Sequence, residues 1–176
     1  MQNINERLSG VCPILPTPFC EDDTIDCGSL EREVNFLLDS GVSGIALFGN
    51  ASEAFALTAA EKQQIAELVV RVNNGRVPLV FGAGGTGIEP AIDSAQWAFK
   101  NGADVLMMMP PYMIKPDAQR IYDYYAAVAK AVPLPIMIQD APGACGVNIP
   151  IDTIVRLVND YDNIRFVKAE APPTFQ

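Results

Sequence analysis

The sequence predicts a (β/α)8 TIM barrel, of which this chain supplies about the first six strands and five helices. Three observations carry that expectation. Short apolar runs alternate strictly with longer amphipathic ones, the pattern of a βαβ fold. The short runs are apolar almost throughout, which suits parallel strands covered on both faces. Unusual residues gather directly after the strands, and in a barrel such positions converge on one mouth, where this fold carries its chemistry. A doubly wound open sheet, the alternative, would concentrate them at its switch point.

Val11 to Phe19 is the first strand, apolar but cut by prolines. Ser29 to Ser40 is a helix, with Leu30, Val34, Phe36, Leu37 and Leu38 at helical spacing and Gly41 as a C-cap. Gly44 to Gly49 is a strand. Thr58-Ala59-Ala60-Glu61 is a capping box opening a helix that runs to Asn74 and stops at Gly75. Val77 to Phe81 is a strand, Pro90 to Lys100 a helix and Val105 to Met109 a strand. Pro116 to Ala131 is a helix with Asp117 at its N-terminus. Pro135 to Gln139 is a strand, Ile151 to Asn159 a helix and Ile164 to Lys168 the last strand.

A barrel takes about 250 residues, and this chain has 176. Residues 1–176 are therefore expected to be the N-terminal part of a single (β/α)8 domain, the remainder of the barrel lying outside the chain. Pro172-Pro173-Thr174-Phe175-Gln176 reads as a loop. A complete small doubly wound domain is the competing expectation.

Composition excludes several functions. Twenty-one acidic against 12 basic residues give a net charge of −9, with no basic cluster for nucleic acid or an anionic membrane. There is no histidine, so a Ser-His-Asp triad and the usual zinc ligand are excluded. Cys12, Cys20, Cys27 and Cys145 form no CxxC pair, and reduced cytoplasmic thiols are expected. Met1-Gln2-Asn3-Ile4-Asn5-Glu6 has no basic region leading into an apolar run. No apolar segment reaches the ~20 residues of a membrane span.

Of the five lysines, Lys62, Lys100, Lys115 and Lys130 have the polar or loop settings of solvated side chains. Lys168 ends an apolar strand. Side chains alternate along a strand, so Ile164, Phe166 and Lys168 are expected on one face. Apolar neighbours desolvate an amine and favour its neutral form, which attacks a ketone to form an imine. The alternative is a strand-end lysine that snorkels to water or pairs with Glu170.

The ordered motifs extend this. Thr17-Pro18-Phe19, Gly49 to Glu53, Gly82-Ala83-Gly84 and Pro110-Pro111-Tyr112 follow the first four expected strands, and Val167-Lys168 lies on the sixth. In order and spacing the chain resembles the dihydrodipicolinate synthase / N-acetylneuraminate lyase family, class I aldolases on a (β/α)8 barrel. The resemblance implies an imine between Lys168 and pyruvate or another 2-oxo acid such as a 2-keto-3-deoxy sugar acid. It implies no cofactor and no metal, a small-molecule substrate, and a homotetramer. The substrate carboxylate would be held by Asn50, Ala51 and Ser52, with Gln139 also lining the site and Thr17, Glu53, Tyr112 and Asp140 supporting it.

The departures from the family pattern are specific. The loop after the second strand usually reads Gly-Thr/Ser-Thr-Gly-Glu; here it is Gly49-Asn50-Ala51-Ser52-Glu53, and Ala51 lacks a side-chain donor. The fifth strand usually carries Tyr-Asn-x-Pro, whose tyrosine relays protons. Here it is Gln139-Asp140-Ala141-Pro142, and glutamine cannot relay a proton near neutral pH. Asp140 is ionisable but falls one place later, toward the other strand face. Ala144 stands where the synthase branch has an arginine, and Met113 where a neighbouring subunit's tyrosine is expected. Asp140, Tyr112, water or a group outside the chain would have to serve as acid–base.

Gly82-Ala83-Gly84-Gly85-Thr86-Gly87 matches G-x-G-x-x-G after a strand. The next strand ends in Met107-Met108-Met109-Pro110-Pro111, without the acid that a dinucleotide site needs, so the glycines are expected to serve a tight turn. Three functions remain in view: an imine-forming lyase or aldolase, a dehydratase on the same imine chemistry, and a non-catalytic paralogue binding a small carboxylate.

Overall fold

The computed structural model describes residues 4–172. The loop expected at Pro172 to Gln176 therefore lies mostly outside the described residues, as does the start of the N-terminal segment. Five parallel strands alternate with helices, the architecture of part of a (β/α) barrel. The chain divides into two compact units, residues 4–82 with 101–104, and residues 83–100 with 105–172.

In the first unit the elements are α1 (Ile4–Arg7), α2 (Cys27–Asp39), β1 (Ile45–Leu47), a 3-10 turn (Asn50–Ser52), α3 (Ala59–Asn73) and β2 (Leu79–Gly82). β1 and β2 pair in parallel, Ile45 opposite Leu79 and Leu47 opposite Phe81. Both are buried along nearly their whole length, as strands covered on both faces must be. The strand expected over Val11 to Phe19 does not form as one. It is an extended segment bridged to β1 only at Ile14 and Ala46. Pro13, Pro16 and Pro18 have no N–H to donate, so a continuous ladder is impossible. The remaining bonds run from Ala46 N–H to the Pro13 carbonyl and from Leu15 N–H to the Ala46 carbonyl.

Capping chemistry sets the helix ends. Thr58 and Glu61 form the reciprocal capping box of α3. Asp26 caps α2 by accepting from Ser29 N–H at 2.9 Å, which starts that helix two residues earlier than the apolar spacing suggests. Gly41 takes the left-handed conformation after α2, at φ +76°.

In the second unit the elements are α4 (Ile88–Lys100), β3 (Val105–Met108), α5 (Ala118–Ala131), β4 (Ile136–Asp140), α6 (Pro142–Cys145), α7 (Ile151–Asp160) and β5 (Ile164–Ala169). β3, β4 and β5 are parallel in that order. Asp117 caps α5 through Arg120 N–H at 2.8 Å. At the other end of α5, the Asn163 amide donates to the carbonyls of Ala129, Val132 and Leu134, the shortest at 2.9 Å, and so satisfies groups a helix end leaves open. Tyr124, Tyr125, Ile121, Leu106, Ile136 and Ile138 fill the core.

β5 is not a simple alternating strand. Ile136 pairs with Ile164, but Met137 pairs with Phe166 and Gln139 with Lys168. Arg165 is the extra residue of a β-bulge. Paired residues of neighbouring strands share a face, so Phe166 and Lys168 lie with Met137 and Gln139, while Ile164 goes with Ile136. The single face expected for Ile164, Phe166 and Lys168 is thus divided by the bulge.

One backbone constraint marks the first unit. Phe48, directly after β1, has φ +60°, costly for a bulky residue. Its buried ring stands edge-on to Phe81 at 5.3 Å. A Cβ on Gly82 would overlap the Phe48 carbonyl. Gly82→Ala is therefore expected to lower stability by about 1–3 kcal/mol, read as a shift of the denaturant midpoint at unchanged slope; an unchanged midpoint would show that this close approach is dispensable.

Candidate active site

Lys168 sits one residue from the end of β5, its side chain about 30% exposed. Its Nζ lies 2.7 Å from Glu170 Oε1. The second oxygen of the same carboxylate accepts from Gln139 Nε2 at 2.8 Å. Gln139 is directly opposite Lys168 in the ladder and is only 3% exposed. Glu170 itself is held by its backbone N–H, which donates to the Asp140 carbonyl at 2.9 Å. One carboxylate thus joins the end of β5 to a buried amide on β4. Both halves of the bland alternative are visible too, since Lys168 reaches solvent and pairs with Glu170.

The Glu170 carboxyl is influenced first by partial burial, which raises its pKa. The hydrogen bonds from Lys168 and Gln139 and the lysine charge outweigh that, and the net shift is downward from 4.5. Glu170 is the residue that strand reasoning passed over as a candidate in its own right. The signal was present: it stands two places after Lys168, the spacing that returns a side chain to the same face.

Asp140 is placed differently. It follows Gln139 on β4 and turns to the opposite face, as a period of two requires. There it lines a cavity of about 400 Å³ with Asn148, Pro150, Ile154, Val167 and Ala169. Those last two residues flank Lys168 in sequence and point away from its face. Asp140 therefore does not face Lys168 and is not its acid–base partner in this geometry. Its Oδ1 is buried with no hydrogen-bond partner. Burial raises its pKa above the ordinary 3.8, offset only in part by the backbone of Ile149.

Tyr112 is 42% exposed, and Met113 after it 73%. The glycine run is explained by packing. The Tyr124 hydroxyl accepts from Gly85 N–H at 3.0 Å and lies 3.2 Å from the Gly85 carbonyl. A Cβ on Gly85 would come within 2.8 Å of the Ala91 nitrogen. These contacts fix the turn and leave the glycines a structural reason of their own. Desolvation pushes the Tyr124 hydroxyl up to about 12, so it is a neutral hydrogen-bonding post.

In the first unit, Thr17, Ser52 and Leu15 form a second constellation. Ser52 is buried and donates its hydroxyl to the Leu15 carbonyl at 2.6 Å. Thr17 donates to the Ser52 carbonyl at 2.8 Å. Asn50, Ala51 and Glu53 are exposed, and Glu53 adopts the left-handed conformation at φ +54°. Ser52 is thus committed to shaping its loop, while Asn50 and the surface of Ala51 are accessible. Among the described residues no cluster of potential metal ligands occurs, and no helix is long and apolar enough to cross a membrane.

Comparison with known proteins shows the family and the fold. The family model described as the dihydrodipicolinate synthetase family matches residues 7–172. The 4-hydroxy-tetrahydrodipicolinate synthase of Phocaeicola vulgatus is 34% identical over 165 residues, covering 94% of this chain and 56% of the relative. That of Methanocaldococcus jannaschii is 36% identical over 163 residues, 93% of this chain and 56% of the relative. Among solved structures, the chloride-inhibited dihydrodipicolinate synthase of Acinetobacter baumannii complexed with pyruvate is 33% identical. It superposes with a TM-score of 0.87 over 91% of this chain and 55% of that one. The chain therefore spans little more than half the length of these relatives.

The unpartnered Oδ1 gives a test of the Asp140 geometry. A folded-state pKa above the unfolded 3.8 means that the group favours folding below pH 3.8 and loses that contribution as pH rises through the folded value. Asp140→Asn removes the ionisation. The melting temperature of the variant relative to the wild type is expected to rise between pH 3 and pH 7; a difference independent of pH would show that Asp140 ionises without penalty.

Proposed function

The chain belongs to the dihydrodipicolinate synthetase family, and from that membership we propose that it acts as a lyase or aldolase on a 2-oxo acid through an imine on Lys168. The observation that carries this is the setting of Lys168: a strand-end amine, hydrogen-bonded at 2.7 Å to a carboxylate that a buried amide orients. The relative solved with pyruvate supports pyruvate, or a 2-oxo acid sharing its head, as substrate. A protonated imine draws electrons from the adjacent carbon, so a C–C or C–O bond beside it forms or breaks more easily. Aldol chemistry and dehydration share that step.

The remaining assignments follow the same reading. Residues 1–176 make up the N-terminal part of one barrel domain, consistent with the share of each relative that they span. Asn50 and Ala51, both exposed, hold the substrate carboxylate on a loop shaped by Ser52, Thr17 and Glu53. Gln139 contributes through the carboxylate it holds, and Tyr112 is a peripheral contact. No cofactor is required for imine chemistry. The four free cysteines suit a reducing cytoplasm, and a homotetramer is the assembly expected from family resemblance.

Borohydride trapping tests the reading and separates it from a non-catalytic carboxylate binder. With pyruvate, reduction is expected to leave one stable adduct on Lys168, located by peptide mass spectrometry, and Lys168→Ala is expected to abolish it. Absence of any adduct across pyruvate and several longer 2-oxo acids would overturn the imine reading, and an adduct that survives in Lys168→Ala would move the site elsewhere.

A further inference from the structure

A lysine imine needs a second group. The amine must lose a proton before it attacks, and the carbinolamine oxygen must gain protons before it leaves as water. The resemblance puts a tyrosine in that role at position 139, where this chain has Gln139. Glutamine has no proton to exchange near neutral pH. Asp140 faces away, into the cavity with Val167 and Ala169. Tyr125 and Tyr124 are committed to the backbone of Met108 and Gly85.

Resting on the imine reading above, we infer that Glu170 is the catalytic acid–base of this site, transferring protons between the Lys168 nitrogen and the departing oxygen, with Gln139 as its positioning residue. The geometry has three parts. Oε1 of Glu170 is 2.7 Å from Nζ, already at proton-transfer distance. Oε2 is fixed at 2.8 Å by the amide of Gln139, which is 3% exposed and paired with Lys168 in the ladder. The Glu170 backbone is tied to the Asp140 carbonyl, so the carboxylate is anchored at both ends. Gln139 cannot relay the proton, but it orients the group that can.

The step balances. The Lys168 ammonium gives a proton to Glu170, and the neutral amine attacks the keto carbon, forming the C–N bond as the carbonyl π pair moves to oxygen. Glu170 protonates that oxygen and takes a proton from the new ammonium. It then protonates the hydroxyl, the C–O bond breaks, water leaves, and the nitrogen lone pair closes the C=N bond. Ammonium plus ketone has become protonated imine plus water, and Glu170 ends as it began, a carboxylate.

The pairing also times the exchange. While Lys168 is an ammonium, its hydrogen bond and charge help keep Glu170 ionised; once the proton has moved, those two influences vanish and burial favours the acid form against the remaining hydrogen bond from Gln139.

The test is the single-turnover rate of borohydride-trapped adduct formation with pyruvate in the full chain. Glu170→Gln keeps the size of the side chain. Its carbonyl still accepts from Lys168, and the Gln139 amide accepts in turn by reversing. Proton transfer is lost, together with the negative charge that faces Lys168, whereas Glu170→Asp keeps both. The expected result is a fall of about 100-fold or more in trapping rate, with melting temperature near that of the wild type, while Glu170→Asp recovers part of the lost rate. A rate in Glu170→Gln within threefold of the wild type overturns the inference, and so does a Glu170→Asp rate no faster than Glu170→Gln, which would mark a role in shape alone. If Glu170→Gln does not fold, Glu170→Asp decides: a slowed rate that rises with added formate supports proton transfer, and a wild-type rate overturns it. Wild-type protein that forms no adduct overturns the imine reading itself, whereas normal trapping in Glu170→Gln leaves that reading standing and removes only Glu170.

Discussion

Gln139 and Lys168 face each other across two parallel strands because the ladder slips by one residue at Arg165. The slip satisfies two demands. Ile164 must be buried at the start of β5, where it is 2% exposed opposite Ile136. Lys168 must end on the face that holds Gln139. Strict alternation meets both only if Ile164 and Lys168 share a face. The bulge relaxes that requirement by ejecting Arg165, which is exposed and returns its Nε to the Asp162 carbonyl at 2.8 Å. Everything at the site depends on the register that follows: the pairing of 139 with 168, the tether from Glu170 to Asp140, and a carboxylate spanning lysine and amide.

The first unit is constrained by irregular backbone instead. Its leading segment carries three prolines and forms only a single bridge to β1, so other polar groups of the segment find other partners. The Leu15 carbonyl takes the Ser52 hydroxyl, and Thr17 reaches the Ser52 carbonyl. Buried backbone groups must be paired in this way. Phe48 holds a left-handed conformation costing on the order of 1–3 kcal/mol, maintained by its packing on Phe81 and by the absence of a side chain at Gly82. Strain of this kind directly after a strand is what a loop needs to leave the sheet at a steep angle.

How far the sequence disclosed all this depends on the range of the signal. Helices read well, because capping and apolar spacing act within a few residues: the Thr58–Glu61 box and the Asp117 cap stand where the residues imply. The extent of the first strand was overstated, since apolar content outweighed three missing donors. The bulge was invisible, because register is set by the partner strand and not by β5 itself. At the site, Lys168 stood out by its apolar run, and the offset of Asp140 follows from a period of two. Ser52 shows the limit of residue type as evidence: its hydroxyl has the right chemistry for a ligand but is spent on Leu15. Glu170 was missed as a functional group because a flanking acid beside a lysine reads as an ion pair until the second oxygen is seen to be held by a buried amide.

A carboxylate and a phenol are not equivalent relays. A phenol titrates near 10 and is neutral when the amine is charged, so its site must absorb a net charge when the proton moves. The Glu170–Lys168 pair is neutral before the reaction, as ammonium and carboxylate, and neutral after it, as protonated imine and carboxylate. Charge separation never exceeds what the resting site already stabilises. The cost falls on the substrate, whose own carboxylate adds a negative charge near Glu170. In the proposed reaction the cationic nitrogen supplies a countercharge to that anion. Such a site favours ligands whose carboxylate lies close to the keto carbon, as in a 2-oxo acid, where the forming iminium is shared between substrate and glutamate. In the proposed reaction, a glutamine that holds a glutamate at the place where the resemblance expects a relay tyrosine would keep imine formation chemically complete, with Glu170 as counterion of the intermediate.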